Sequence, residues 1–295
     1  MMLAPKRTTR REPGRARLMP RELTALAFIA EAQPVATSAY REFLGVSLSV
    51  AQRSLRKLRN LGLVRVHVIA LELPSHFTIT RKAARLLAEG STHSAQTHRV
   101  PRGLGKHHLT HHDGAVLLCA ALHHACRQHG DITLSSFQFE DTIRRTLCLT
   151  RHTQVPDAVL TLQCGTGSAL AWAVEIDQAT ETVPYVVENK AKPYAALQSR
   201  GAPLAGVTTW HIACIVPSEA RLKRLVTALY EAGIPDGQWY FAVRNDLTAN
   251  TVLTTAWRTV RTTPGGEQAE LVIEPPLPAP PVSTACPNRS NGRHT

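Results

Sequence analysis

Apolar residues recur with a helical period in the first third of the chain. The segment "PRELTALAFIAEAQ" begins at Pro20, a residue favoured in the first helical turn, and predicts one helix. Its apolar positions are Leu23, Leu26, Ala27 and Ala30. A short helix, "TSAYREFLG", should end at Gly45, and a third should start at Ser47 or Ser49 and end at Gly62. The β-prone runs "LVRVHVIALEL" and "HFTIT" and the helix "TRKAARLLAEG" follow.

The third helix has one apolar side and one basic side. At about 100° per residue, the apolar side collects Val50, Ala51, Ser54, Leu55, Leu58 and Leu61. The order helix, helix, basic helix, hairpin, helix predicts a winged helix-turn-helix domain, in which the third helix enters the major groove of DNA. Its candidate DNA-contacting residues are Gln52, Arg53, Arg56, Lys57, Arg59 and Asn60. The alternative is a charged face that only meets solvent.

The rest of the chain alternates strand-like and helical segments. The strand-like runs are "ITLSSFQF", "DAVLTLQ", "LAWAVEID", "TWHIACIV" and "QWYFAV", with helical patterns after the third and after the fourth. This predicts a mixed α/β body over residues 107–250 behind a winged-helix domain at 19–90. Residues 1–18 are predicted to be a flexible basic arm, 91–106 a linker and 275–295 a disordered Pro-rich tail.

Composition narrows the class of protein. The 295 residues are 43% hydrophobic, which excludes a wholly disordered chain, and no apolar run is long enough to span a membrane. Six cysteines without zinc-ligand or CxxC spacing predict buried, reduced thiols. We therefore expect a cytoplasmic protein.

Charge is concentrated at one end. The net charge is +12, and residues 1–90 carry 16 basic and 6 acidic side chains against 18 and 16 in the remainder. A basic module on a nearly neutral body favours double-stranded DNA as the partner, with an anionic membrane surface as the weaker alternative.

Acidic residues at strand ends are the candidate chemistry of the body. Asp157 precedes one strand, and Glu175 and Asp177 end the next, so a hairpin would bring them to one end of the sheet. Carboxylates in this arrangement suit Mg²⁺ or Mn²⁺, which could activate water for attack on a phosphodiester. The alternative is that these acids only terminate strands.

The spacing resembles the core of the PD-(D/E)xK nuclease superfamily, with Asp157 as its first acid and Glu175 as its second. The lysine of that family should stand where Asp177 stands, and the resemblance implies that Lys190 or Lys192 on the following helix replaces it. The predicted catalytic set is Asp157, Glu175, Asp177 and Lys190, with the three acids as metal ligands.

A longer string of motifs resembles the replication-relaxation protein family of plasmids and other mobile elements. It consists of "VPDAVL", "EIDQATET" and a helix with Lys190 and Tyr194, behind a His-containing helix and a winged helix. The resemblance covers roughly residues 20–245. It implies a winged-helix DNA-binding head on a restriction-endonuclease-like body, in an α+β or α/β fold, and does not by itself imply cleavage.

Histidines and arginines flank the acidic segment. "HHLTHH" pairs His107 with His111 and His108 with His112 at metal-ligand spacing, but no third ligand is evident. A structural or exposed cluster is preferred, and contact with DNA phosphate comes next. Three arginines could guide a phosphate backbone or simply be solvated: Arg144, Arg145 and Arg151.

Three functions remain open at this point. The first is a DNA-binding protein acting in replication, relaxation or mobilisation of a plasmid or mobile element, with a replication initiator or relaxase as partner. The second is an active Mg²⁺-dependent DNA endonuclease. The third is a winged-helix transcriptional regulator whose body binds an effector or forms a homodimer.

Overall fold

The computed structural model describes residues 18–68, 74–89, 106–146, 154–165, 168–262 and 269–273. The chain divides into two compact units, residues 1–106 and 107–295, and each has its own sheet. Nearly all of the predicted basic arm and linker, and the whole Pro-rich tail, lie outside the described residues.

The first unit is mostly helical. Its elements are α1 (Pro20–Ala32), β1 (Val35–Ala36), α2 (Thr37–Leu44), α3 (Leu48–Asn60), β2 (Val64–His67), β3 (His76–Ile79) and α4 (Arg81–Glu89). The short α2 ends because Gly45 adopts a left-handed conformation, φ 65°, and donates its N–H to the Arg41 carbonyl at 3.0 Å. The order of helices and paired strands agrees with the periodicity of the sequence.

Helices and sheet of the first unit share one apolar core. Phe28 of α1 stacks on Phe43 of α2 with ring centroids 4.1 Å apart, and both side chains are buried. The hydroxyls of Tyr40 on α2 and Ser54 on α3 lie 2.7 Å apart, which fixes these two helices together. Strand β3 pairs antiparallel with β2 and also with β1, a two-residue strand too short for any periodicity to predict.

The second unit is built on a mixed seven-stranded sheet. Its helices are α5 (Lys106–His129), α6 (Glu140–Thr146), α7 (Val183–Val186), α8 (Lys192–Ser199) and α9 (Glu219–Glu231). Its strands are β4 (Ile132–Phe139), β5 (Ala158–Cys164), β6 (Ser168–Ile176), β7 (Trp210–Val216), β8 (Trp239–Val243), β9 (Arg258–Thr262) and β10 (Ala269–Ile273). The prediction of a mixed α and β architecture is confirmed.

The strand order is β10-β9-β8-β7-β6-β5-β4. Strands β4, β5 and β6 are antiparallel, β6, β7 and β8 are parallel, and β9 and β10 return antiparallel. The sheet thus continues beyond residue 250, where the sequence analysis ended the domain. Strands β9 and β10 were not predicted because each has only five residues and β9 carries Arg258 and Arg261, so neither gives a long apolar run. Helix α6 was not predicted either.

Both faces of the central strands are buried. On one face, Ala171 and Ala173 of β6 join a core with Leu222 and Leu225 of α9. On the other face, Trp172 packs edge-on against Trp257 with ring centroids 5.1 Å apart. Buried strands of this kind explain why β6 and β7 show continuous apolar runs instead of alternation. In the part of the chain that the structure describes, no helix is long and apolar enough to cross a membrane.

Candidate functional site

Helix α3 presents an exposed polar face in the first unit. Ala51, Leu55 and Leu58 are buried against the core, which fixes the helix orientation. The side chains on the opposite side are exposed: Gln52, Arg53, Arg56, Arg59 and Asn60. The structure therefore separates the two sides of α3 as the periodicity predicts.

Lys57 differs from the other candidates on α3. Its ammonium lies 2.7 Å from Oε2 of Glu22 on α1, and the same oxygen accepts the N–H of Met19 at 2.8 Å. Burial is the largest single effect and would raise the pKa of Glu22, but the bonds from Lys57 and the Met19 N–H, with the charges of Lys57 and Arg21, together outweigh it and the pKa is lowered. Lys57 thus ties α3 to α1, and we assign it to the packing of the head instead of to the exposed face.

In the second unit, two predicted residues meet directly at the end of β6. Glu175 is 3% exposed, and its Oε2 accepts a hydrogen bond from Lys190 Nζ at 2.9 Å. Its Oε1 accepts a hydrogen bond from the hydroxyl of Tyr194 at 2.6 Å. Both carboxylate oxygens are therefore held by side chains of the following helix.

A π-helical turn, Val187–Ala191, separates α7 from α8 and carries Lys190. Such turns are single-residue insertions in an α-helix and are frequent at functional sites. Lys190 and Tyr194 are four residues apart, so they lie on one side of the helix, and both face Glu175. Lys192 points elsewhere and pairs with the exposed Glu188 at 2.5 Å, so of the two predicted lysines only Lys190 reaches the acidic site.

The Glu175–Lys190 pair is strongly influenced by its surroundings. Burial raises the pKa of Glu175 to about 7, although Lys190 opposes the shift. Burial lowers the pKa of Lys190, but Glu175 and a second carboxylate, Glu181 at 3.1 Å, outweigh burial and raise it. Lys190 therefore remains a cation between two carboxylates.

Asp157 lies at the same edge of the sheet. The pairing of Ala158 with Val174 brings the start of β5 beside the end of β6, and Asp157 Oδ2 accepts the N–H of Ile176 at 2.7 Å. His111 of α5 reaches the same oxygen, with Nδ1 at 3.7 Å. The Asp157 carboxylate raises the pKa of His111 against the opposing effect of burial.

Asp177 is engaged by an arginine that the sequence analysis did not identify. Arg221 of α9, 3% exposed, binds it with two parallel bonds, Nε to Oδ2 at 2.7 Å and Nη2 to Oδ1 at 3.0 Å. The same Nη2 donates to the carbonyl of Glu181 at 2.8 Å. Asp177 thus holds α9 and the segment after β6, and neither carboxylate oxygen faces an open site.

These contacts decide which acids could hold a metal. Among the described residues, no group of three or more His, Cys, Asp or Glu side chains is arranged around a common point. Asp177 does not fit a metal site, because Arg221 occupies both of its oxygens. Both oxygens of Glu175 also accept hydrogen bonds, from Lys190 and Tyr194, whereas Asp157 uses one oxygen for the Ile176 N–H. Asp157 is therefore the more available carboxylate, and Glu175 beside it would bind a metal only while keeping these bonds or exchanging them. Mg²⁺ commonly takes one or two carboxylates from a protein when a substrate phosphate completes its shell.

The other flanking residues have local partners or lie outside the described part. Arg144 pairs with Glu140 at 2.7 Å, and Arg145 donates to the Asp141 carbonyl at 3.0 Å. The ring of His112 lies 5.2 Å from that of Phe139. Three predicted side chains fall outside the described residues: His107, His108 and Arg151.

Gly114 allows α5 to approach the site. A Cβ at this position would lie 2.9 Å from Cγ2 of the buried Ile176, closer than packed atoms allow. Because Gly114 is one turn from His111, this close approach also sets the distance between His111 and Asp157.

We expect Gly114→Ala to lower the free energy of unfolding by about 1 kcal/mol. Overpacking costs about 1–3 kcal/mol, and the better helix propensity of alanine offsets about 1 kcal/mol of it. Urea titration of the variant, of Ile176→Ala and of the double variant measures this. Losses that simply add would contradict a direct contact between the two positions.

Sequence reasoning missed His111 in this role, as well as Glu181, Arg221 and Gly114. The one sequence feature that pointed to these contacts is the four-residue spacing of Lys190 and Tyr194, which places both on one side of a helix where they can bind the same carboxylate. Arg221 is separated from Asp177 by 44 residues. No local pattern links residues that far apart.

Comparison with known proteins gives a family and one partial structural likeness. No curated protein matches the chain. A crystal structure of a proposed DNA-binding protein from Ralstonia eutropha JMP134 is 24% identical, covers 25% of this chain and 96% of that chain, and has a TM-score of 0.22, too low to assign a fold. A family model described as replication-relaxation matches residues 26–209, which is more than half of the 295 residues. The chain belongs to the replication-relaxation family.

Proposed function

We propose that this protein binds double-stranded DNA through its first unit, with α3 in the major groove in the manner of a winged helix. The observation that carries the proposal is the exposed face of α3, on which Arg53, Arg56 and Arg59 stand beside Gln52 and Asn60. Arginine, glutamine and asparagine are the side chains that pair bidentately with guanine and adenine edges. Membership of the replication-relaxation family supports a DNA-related role.

The neighbouring hairpin and the charge of the head are consistent with this docking. Arg65 on β2 is exposed beside the paired strands, where a wing would meet the phosphate backbone. The excess of basic side chains in residues 1–90 supplies the counterion release that drives binding to phosphates.

The double substitution Arg53→Ala with Arg56→Ala should weaken binding to a specific duplex at least about tenfold, because each base contact contributes about 1–3 kcal/mol. Both side chains are exposed, so the melting temperature should change little. Fluorescence anisotropy with a labelled duplex measures the affinity.

Two controls separate recognition from charge and from stability. Arg85→Ala on α4 also removes an exposed charge from this unit and should affect affinity much less. Lys57→Met breaks the bond to Glu22 and should lower stability by about 1–3 kcal/mol, with a smaller loss of affinity than Arg56→Ala. Equal losses for Arg85→Ala and the double variant would rule out α3 as the reading helix.

We place this DNA binding in the replication, relaxation or mobilisation of a plasmid or other mobile element, acting with a replication initiator or relaxase. Footprinting on plasmid DNA tests the placement, because a site at an origin of replication or transfer is expected. A palindromic footprint at promoters, with half-sites about one helical turn apart, would instead indicate a dimeric transcriptional regulator.

A second candidate function is metal-dependent cleavage of DNA by the second unit. The specific observation in its favour is that Asp157 and Glu175 lie together at the end of β6 with Lys190 on Glu175. Apart from the short α6 between β4 and β5, the order α5, β4, β5, β6, helix, β7 resembles that of a PD-(D/E)xK nuclease core, with Lys190 supplied from the helix. Asp157 and Glu175 would hold a Mg²⁺ ion, which stabilises charge on a phosphodiester when bound. Lys190 would orient a phosphate oxygen, and Tyr194 holds Glu175 in place.

The test is cleavage of supercoiled plasmid in Mg²⁺ or Mn²⁺, beside a gel shift on the same DNA. Asp157→Asn keeps an oxygen that can accept the Ile176 N–H, so it removes charge with little effect on the fold. We expect nicking to fall about 100-fold or more in this variant and to persist in Glu188→Gln, an exposed acid on the same helical segment. A shift without nicking by the unaltered protein would leave DNA binding as the function and discard the nuclease.

A further inference from the structure

Arg244 lies at the same edge of the sheet as the acidic site but is not part of it. It follows β8 immediately and opens the short 3₁₀ helix Arg244–Asp246. Strands β6, β7 and β8 are parallel, so their carboxyl ends share one edge. Arg244 is therefore two strands away from Glu175 along that edge, which is where open sheets with parallel central strands bind ligands.

Contacts with α5 bring Arg244 towards the corner occupied by Asp157. The Nη2 atom of Arg244 lies 3.4 Å from the position that a Cβ on Gly114 would take. Gly114 is one helical turn from His111, whose ring contacts the Asp157 carboxylate. Two side chains that can donate hydrogen bonds to an anion, Arg244 and His111, thus line the same stretch of α5.

Among the described residues, Arg244 forms no close ion pair of the kind that Arg221 and Arg144 form in this unit. Arg221 and Arg144 each bind a carboxylate at 2.7 Å. Among the described residues, Arg244 has no carboxylate within ion-pair distance, and its buried Nε has no hydrogen-bond partner. Burial lowers the pKa of Arg244, and the charge of Asp113 opposes this only in part. A half-buried guanidinium whose Nε has no hydrogen-bond partner and whose charge is only partly balanced is unfavourable, and an anion from outside the chain would relieve it.

We propose that Arg244 binds a phosphate group, and that in the working protein this phosphate belongs to the backbone of bound DNA. The planar fork of a guanidinium matches phosphate oxygens and distinguishes this site from a simple positive surface. The choice of DNA as the source of the phosphate rests on the DNA binding proposed above. The proposal that Arg244 binds a phosphate group does not depend on it. A phosphate here would lie near Gly114 of α5, so it would position the strand against the carboxyl edge of the sheet.

The test compares Arg244→Gln with Arg200→Gln in the full chain. Arg200 is exposed at the end of α8, where the chain has returned to the opposite edge of the sheet. Each variant therefore loses one positive charge, but only Arg244→Gln alters the proposed site. The dependence of DNA affinity on salt, measured by anisotropy, should fall in slope by about 0.9 for Arg244→Gln and stay unchanged for Arg200→Gln. The double variant of Arg53 and Arg56 tests DNA binding by α3 separately. An incorrect proposal for α3 is therefore distinguishable from an incorrect proposal for Arg244.

Inorganic phosphate provides the second arm and needs no variant to fold. Phenylglyoxal modifies exposed guanidinium groups, and phosphate should protect Arg244 but not Arg200 in the unaltered protein, measured by mass spectrometry. Protection by phosphate together with the change in salt slope supports a DNA phosphate site. Protection with an unchanged slope supports a site for free phosphate and removes DNA as the source. An unchanged slope with equal labelling of both arginines would overturn the proposal.

Discussion

Replacing Arg221 with alanine is expected to destabilise the protein by about 3–5 kcal/mol, the usual effect of removing one partner of a buried ion pair. Asp177 is 6% exposed and would lose both of its short bonds to the guanidinium. The Glu181 carbonyl would also lose its donor. For a unit of this size, the loss corresponds to a fall in melting temperature of roughly 10 °C, measurable by calorimetry.

Two further variants identify the buried charge as the cause. Arg221→Lys keeps the charge but cannot form the two parallel bonds, so it should be intermediate. The double variant Arg221→Ala with Asp177→Ala removes both charges and should be more stable than the sum of the single losses predicts. Strict additivity of the two losses would contradict the pair as we describe it.

Lys190→Met should be similarly destabilising at pH 8, by about 3–5 kcal/mol, and much less so near pH 5. Without the ammonium, Glu175 keeps its burial and the nearby charge of Asp157, so the pKa of Glu175 in the folded protein moves above its present value of about 7. The unfolded chain releases this proton near the ordinary value of 4.5. Between these two pKa values the folded state binds more protons, and stability falls as pH rises.

Urea titrations of Lys190→Met across this pH range measure the effect. Other groups act on the pair, namely Glu181, Asp157, the Tyr194 hydroxyl and His111, and these residues are present in every variant compared. Adding Glu175→Gln to Lys190→Met removes the titrating group, so the extra pH dependence should disappear. If the extra pH dependence survived in the double variant, Glu175 would not be its origin.

The sequence predicted the head better than the body. Helical periodicity gave α1 to α4, because each packs one side of its own residues against a common core, and burial of Ala51, Leu55 and Leu58 follows from that spacing alone. The same spacing identified the exposed residues of α3. It could not separate Lys57 from them, since its partner Glu22 lies 35 residues earlier.

In the body, the pattern gave the strands around the site but not the outer part of the sheet. Strands β6 and β7 are continuous apolar runs because both of their faces are covered, whereas β9 begins with Arg258 and shows no such run. The convergence of Asp157 and Glu175 was predicted from a hairpin, which needs only local pairing. The sequence left two lysines, Lys190 and Lys192, as candidates for the partner of Glu175. The π-helical turn determines that Lys190 is the one that faces Glu175.

The sequence by itself determined the elements, the basic side of α3 and the residues at the ends of β5 and β6, because these depend on periodicity and on neighbours within a few residues. Only the tertiary structure decided that Asp177 binds Arg221, that His111 reaches Asp157 past Gly114, and that the buried Nε of Arg244 has no hydrogen-bond partner in the described chain. Such contacts join residues far apart in the chain. Their energies depend on burial and on distances of a few ångströms, and neither is encoded in the local order of residues.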